Sequence, residues 1–309
     1  MQTFAGINET TTMRLNDWKK YLKSLVMPLL VSGTPLLAQT DTPSADGLLW
    51  EISGNGLTKP SYIYGTFHLI DAEHFEISPA TETAFTACEQ VAMEIKMDDP
   101  NLITTMLRWT HLPAGKTLAD YCTPEEYAQL TAYVKDSLGL DIVQFNLMKP
   151  LSLYQLAVAS NIEGEAASYE RHFLEKSIGQ SKDILGLESL EFQLGVFDSI
   201  PYEEQIDWIV TATTDSTSMN SSYSWDEMVQ TYTSGNIETI YKLVIEETPE
   251  LKKYENLLIT DRNTKWIPVI EQYVQEKPTF VAVGAAHLGG PNGVIKLLQA
   301  EGYTLKPVK

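Results

Sequence analysis

Ile63-Tyr64-Gly65-Thr66-Phe67-His68-Leu69 and Ala282-Val283-Gly284-Ala285-Ala286-His287-Leu288 follow one pattern. Each has an apolar strand, a glycine, two residues, a histidine and a leucine. A strand end is rigid and a glycine lets the backbone turn without a Cβ clash, so the spacing presents an imidazole over a sheet edge. Two such edges from opposite ends of the chain predict two imidazoles in one cleft, at the strand ends where α/β sheets bind ligands. One GxxH is weak by itself, because a histidine after a strand more often serves as a hydrogen-bonded structural group. The repetition in matching contexts makes His68 and His287 candidates.

Outward from these stretches, strands are expected at 48–53 and 61–67, a hairpin around Gly54, Asn55 and Gly56. Further strands are expected at 90–96, where Val91, Met93 and Ile95 alternate, and at 183–187, 279–283 and 303–308. Ser78-Pro79 with Glu82 starts a helix to about 89, and Thr123-Pro124-Glu125-Glu126 starts another that Gly139 stops. Helical patterns also cover 150–160, 167–177, 189–195, 202–214, 224–234, 236–246, 251–273 and 293–301. The Ser/Thr-rich piece 211–224 reads as an interhelical turn within one domain. The expected class is α/β (α+β): a central mixed sheet flanked by helices, with strands at both chain ends and a helical insertion in the middle, over 48–309.

The first 38 residues read as a cleaved secretory signal, with Arg14, Lys19, Lys20 and Lys23 ahead of an apolar run from Leu25 to Leu37 and a small-residue site at Ala38. Residues 1–12 read as an upstream extension, which makes Met13 an alternative start, and 39–47 as a short polar lead. The apolar run is shorter than the roughly 20 residues of a membrane span. A secreted or periplasmic protein without stable membrane insertion is expected. Of 41 acidic and 22 basic residues, 39 and 18 remain after position 38, a net −21. That charge repels nucleic acid and anionic lipid surfaces. Cys88 and Cys122 would then occupy a compartment where disulfides persist, but their spacing decides neither a bridge nor two free thiols.

Most carboxylates read as solvated helix faces, Glu163, Glu165, Glu170 and Glu175 among them. Glu94 differs, since it interrupts the apolar run 91–95 and needs a partner or a metal there. Glu188 directly ends the strand 183–187. A salt bridge explains either one alone, and Arg262 is a candidate partner. Its bland alternative is an exposed side chain, with Trp266 anchoring the helix. Two histidines and two strand-borne glutamates suit a divalent ion with mixed N/O ligands, able to activate water and polarise a carbonyl while an arginine stabilises the oxyanion. A metal-free site with His and Glu as acid and base stays open. The sequence lacks HExxH, GxSxG and a P-loop.

Leu49-Trp50-Glu51-Ile52, Tyr64-Gly65-Thr66-Phe67-His68, Met93-Glu94-Ile95, Gly186-Leu187-Glu188-Ser189 with Gln193, Phe197-Asp198-Ser199-Ile200-Pro201, Arg262-Asn263 with Trp266, and Phe280 to Leu288 with Gly290, Pro291 and Gly293 resemble the TraB/GumN family. Tiki metalloproteases and, more remotely, erythromycin esterase-like proteins look like its relatives. The resemblance covers about 48–308. It implies one cleft built by the paired GxxH strands and the acidic strand ends, and a peptidase-like hydrolase using Mn, Co or Zn. Carried over, His68 and His287 fall on the two GxxH histidines, Glu94 and Glu188 on the recurrent glutamates, and Arg262 and Asn263 on the RN pair; His68, His287, Glu94 and Glu188 are then the expected metal ligands, and Glu94, Glu188, Arg262 and Asn263 the expected catalytic residues. Glu94 is followed by Ile-Lys where many relatives have Leu-Asp, and Glu170 stands where relatives often have Asp. A peptide or a small ester or amide is the implied substrate. A metal-independent esterase-like hydrolase and a non-catalytic peptide- or glycan-binding protein are the alternatives.

Overall fold

The computed structural model describes residues 47–159, 162, 165–214 and 225–309. The signal segment and most of the Ser/Thr-rich piece lie outside the described residues. The strands are β1 (Leu49–Gly54), β2 (Ser61–Thr66), β3 (Ile70–Asp71), β4 (Gln90–Ile95), β5 (Ala166–Ala167), β6 (Asp183–Glu188), β7 (Thr279–Gly284) and β8 (Tyr303–Pro307). Six form one sheet in the order β6-β4-β7-β2-β1-β8, and β3 pairs with β5 separately.

The sheet is mixed, as expected from strands at both chain ends. β6, β4, β7 and β2 run parallel, while β1 is antiparallel to both β2 and β8. The first hairpin turns through Gly54, Asn55 and Gly56, all at positive φ, where a residue without Cβ is least strained. The parallel strands are buried on both faces, so they read as nearly continuous apolar runs. Their register pairs Thr66 with Gly284, Met93 with Ala282 and Ile95 with Glu188, which levels four C-terminal ends at one edge. β4 and β2 are consecutive parallel strands separated in space by β7, so the order reverses there, where α/β sheets form a ligand crevice.

One face of the sheet packs Ile52, Ile63 and Val281 against Trp266 and Ile270. The other packs Tyr64 and Phe280 against Phe85 and Phe173. The helical middle has its own apolar cluster, where Leu130 and Val134 of the helix Pro124–Leu138 meet Leu151, Ile206 and Ile209. Thr123 and Glu126 make the expected reciprocal cap, and Gly139 at φ 65° ends that helix in the left-handed conformation.

The structure corrects three expectations. The segment 251–273 is not one helix: Pro249–Lys252 is followed by a π segment at Asn256–Thr260 and then by the helix Asp261–Glu276. An apolar period near 3.6 does not distinguish these windings. The helix Leu102–Trp109 was not expected, since it is only eight residues long and Asn101 before it makes no side-chain cap. Neither Gly65 nor Gly284 takes a positive φ. Both serve close approach instead: a Cβ on Gly65 would stand 3.0 Å from Cα and Cβ of Ala285 and 2.9 Å from Leu288 Cδ1. Cys88 and Cys122 are both free thiols.

Candidate functional site

At the levelled edge, β2 leads to His68, β4 carries Glu94, β6 ends on Glu188, and β7 passes through Gly284 into a 3-10 turn that carries His287. The π segment and the helix after it bring Arg262 and Asn263 over the same edge. All six residues anticipated from the sequence are neighbours here, across more than 200 positions of chain.

Arg262 is the hub, 3% exposed. Its Nη2 donates to Glu94 Oε2 at 2.6 Å and to Glu188 Oε1 at 2.7 Å. Its Nε donates to Glu188, at 3.1 Å to Oε1. Its Nη1 donates to the Leu258 carbonyl within the π segment at 3.2 Å and to His287 Nε2 at 3.1 Å. All five guanidinium N–H groups therefore have protein acceptors. Trp266, one turn along, lies under the guanidinium at 4.7 Å, and its Nε1 donates to Glu188 Oε2 at 3.0 Å.

Arginine has no acceptor, so His287 Nε2 must accept and its proton sits on Nδ1. Nδ1 donates to Asn263 Oδ1 at 2.6 Å, while Asn263 Nδ2 donates to the carbonyls of His287 and Asn292. Asn263, with no exposed surface, thus fixes both the tautomer and the turn that carries the ring. Burial, then the charge of Arg262, holds the His287 pKa down to about 3, so this imidazole is neutral.

His68 faces the cleft with 22% of its side chain exposed, and its Nδ1 donates to Glu170 Oε1 at 2.7 Å. Thr66 and Ser168 hydroxyls also donate to Glu170. Burial alone would lower the His68 pKa, but the charge and hydrogen bond of Glu170, with help from Glu94, raise it. Glu170 was grouped with solvated helix faces; it is instead 5% exposed and pairs with His68. The overlooked signal is spacing, because Glu170 shares the buried face of its helix with Phe173 and Ser177. Gln193, named only within a motif, donates to Glu94 Oε2 at 2.8 Å.

Burial opposes ionisation of both central glutamates, with opposite outcomes. For Glu94 the charge of Arg262 prevails, helped by the Gly284 N–H at 2.9 Å, and its pKa lies well below the carboxylate range. For Glu188 burial prevails over Arg262, and its pKa is raised. Two carboxylates, Glu94 and Glu188, share the Arg262 guanidinium, while Glu170 is paired with His68.

The glycine of the second GxxH explains the convergence. A Cβ on Gly284 would stand 3.3 Å from Glu94 Oε1, 3.7 Å from His68 Nε2 and 3.7 Å from His287 Cδ2. That hollow is bordered by a carboxylate oxygen and an imidazole nitrogen, a donor pair that suits a divalent ion. Glu188 is different, since Arg262 and Trp266 occupy both its oxygens. Among the described residues no group of three or more His, Cys, Asp or Glu side chains is spaced to hold a metal as packed, and the His287 lone pair is turned to Arg262. The donors left toward the hollow are His68 Nε2 and Glu94 Oε1, a pair whose chemistry fits a cation, while His287 brings its ring carbon Cδ2 to the hollow and its Nε2 to Arg262.

The edge opens into a cavity of about 150 Å³, walled mainly by apolar side chains such as Met93, Met106, Trp109, Leu194 and Met228. Among the described residues, no helix is long and apolar enough to cross a membrane.

Zebrafish (Danio rerio) "Metalloprotease TIKI1" is 22% identical over 96% of this chain and 71% of its own length. Zebrafish "Metalloprotease TIKI2" is 20% identical over 84% of this chain and 61% of its own length. No solved structure matches. The TraB/PrgY/gumN family matches residues 48–307, which span the whole sheet and every residue of the site, and the chain belongs to that family.

Proposed function

We propose that this chain is an exported hydrolase of peptide bonds that uses one divalent ion, held by His68, Glu94 and His287. The observation that carries the reading is the hollow over Gly284, where Glu94 Oε1 and His68 Nε2 meet beside the His287 ring. The printed name of the relatives, metalloprotease, supports the same class.

A bound divalent ion supplies a Lewis acid for the scissile carbonyl and a water of lowered pKa. The chain's own residues prepare the place. Glu170 and Asn263 each hold an Nδ1 proton, which leaves the Nε2 lone pair of His68 toward the hollow and that of His287 on Arg262 Nη1, a contact that His287 must give up to take an ion. Gln193 and Arg262 fix one oxygen of Glu94 and leave Oε1 toward the hollow. Glu188 and Trp266 hold the Arg262 guanidinium. Its N–H groups being engaged, it acts through its charge on the negative oxygen that develops during acyl transfer.

The Arg262–His287 contact favours a second reading of the same cleft, hydrolysis without a metal. His68 Nε2 would then take the proton of the attacking water, and Glu170 would stabilise the imidazolium. One experiment separates the two. The purified chain is incubated with a peptide library after chelation, with and without Mn²⁺, Co²⁺ or Zn²⁺, and products are read by mass spectrometry. Cleavage that needs an added ion supports the first reading, undiminished cleavage after chelation supports the second, and intact peptides under all conditions refute both.

A further inference from the structure

Among the polar side chains that line the cavity together with His68 and Glu94, Gln155 alone has a buried atom left unpaired among the described residues. Gln155, on the helix Pro150–Ala159, lines it and is 8% exposed. Its Oε1 is buried and, among the described residues, accepts no hydrogen bond. An unpaired buried amide oxygen is costly, so such a group in a cavity wall marks the place of a missing donor.

The size and lining of the cavity restrict that donor. A cavity of about 150 Å³ lined by aliphatic and aromatic side chains admits one benzene ring. Here the volume is about 150 Å³, shared between the hollow at His68 and Glu94 and a wall that includes Met93, Met106, Met228 and Trp109, so the apolar end has room for one ring and no more. Thioethers adapt to the shape of a ring and make favourable sulfur–aromatic contacts, and an indole adds edge or offset packing. A ligand with one six-membered ring and one outward donor satisfies both the volume and Gln155. Indole is larger than one ring, and an aliphatic side chain brings no donor.

We infer that this cavity is a side-chain subsite for an aromatic residue of a peptide substrate, tyrosine ahead of phenylalanine, with Gln155 Oε1 accepting the phenol hydrogen. The assignment to a substrate rests on the hydrolase reading, while the binding preference does not depend on cleavage. A site built to hydrogen-bond a hydroxyl discriminates against the analogue without it, because its own polar group is then left unpaired.

The test uses the full chain and three probes, N-acetyl-tyrosinamide, N-acetyl-phenylalaninamide and N-acetyl-alaninamide, titrated by calorimetry. The tyrosine probe is expected to bind about 10-fold tighter than the phenylalanine probe, a ratio set by one buried hydrogen bond, and the alanine probe more weakly than either. In Gln155→Met, which keeps side-chain length and removes the acceptor, the two aromatic probes bind equally. Equal binding of tyrosine and phenylalanine by the unmodified chain overturns the inference, as does a tyrosine preference that survives in folded Gln155→Met. Should that variant not fold, the unmodified chain still decides through its tyrosine-to-phenylalanine ratio. Peptide pairs that differ only in Tyr or Phe then separate the two claims. A binding preference with no cleavage refutes the hydrolase and leaves the subsite standing; cleavage of both at equal rate refutes the subsite alone.

Discussion

Replacing Arg262 with methionine removes the buried cation and keeps most of the side-chain volume. Two carboxylates then lose the ion pairs they make at 2.6 and 2.7 Å, with Arg262, Glu94 and Glu188 side chains only 4%, 10% and 5% exposed. Breaking a buried ion pair by deleting one partner costs about 3–5 kcal/mol, because the other charge stays buried without compensation. For a domain of this size that loss lowers the melting temperature by roughly 6–20 °C. The pH dependence carries the sharper signature. In the unmodified chain the Glu94 pKa is lowered, chiefly by Arg262 against burial. Its contribution is thus present above the unfolded value of about 4.3 and fades as pH falls below it. Without Arg262, burial raises both carboxylates above that value, so the destabilisation is full at pH 7 and shrinks as pH falls through the raised pKa values. Urea denaturation of Arg262→Met and the unmodified chain at pH 7 and pH 5 should show a gap of about 3–5 kcal/mol that narrows at pH 5. A gap below about 1 kcal/mol, the range of a surface pair, or one of the same size at both pH values, refutes the buried hub.

Three further outcomes are expected. Gly284→Ala puts a methyl group 3.3 Å from Glu94 Oε1 and 3.7 Å from His68 Nε2; its melting curve should stay close to that of the unmodified chain while ion uptake, followed by equilibrium dialysis, weakens. Glu170→Gln keeps the shape beside His68 and removes the charge, so cleavage or ion affinity should fall about 10- to 100-fold, as for other partners of metal-ligating histidines; unchanged values would show that Glu170 is only a packing residue. Mass spectrometry after alkylation without reductant should find both cysteines modified in urea, and in the folded chain Cys122 should react ahead of Cys88, which is 2% exposed.

The mixed sheet was legible because its parallel strands are apolar on both faces and its hairpin turns on Gly54, Asn55 and Gly56. His68 and His287 were legible as a pair only through the repetition of GxxH. Both glycines avoid a Cβ clash, as expected, and do so without a positive φ: Gly284 leaves room for three side chains, and only the fold shows where they come from. Glu94 stood out because a charge inside an apolar strand needs a partner. Arg262 answers it from 168 positions away, a separation that no local pattern encodes. Glu170 was misjudged because a charged residue on an amphipathic helix is usually solvated, and its burial depends on a histidine held by another strand. The π segment before Arg262 escaped because apolar spacing scarcely differs between an α and a π turn.

On the proposed function, His68, Glu94 and His287 together hold one divalent ion. Calorimetric titration of the metal-free chain with Mn²⁺, Co²⁺ and Zn²⁺, beside His68→Ala and His287→Ala variants with unchanged melting curves, tests it most directly. One ion per chain is expected in the unmodified protein, and loss of that binding in both variants. No uptake by the unmodified chain, or the same uptake in all three proteins, would contradict it.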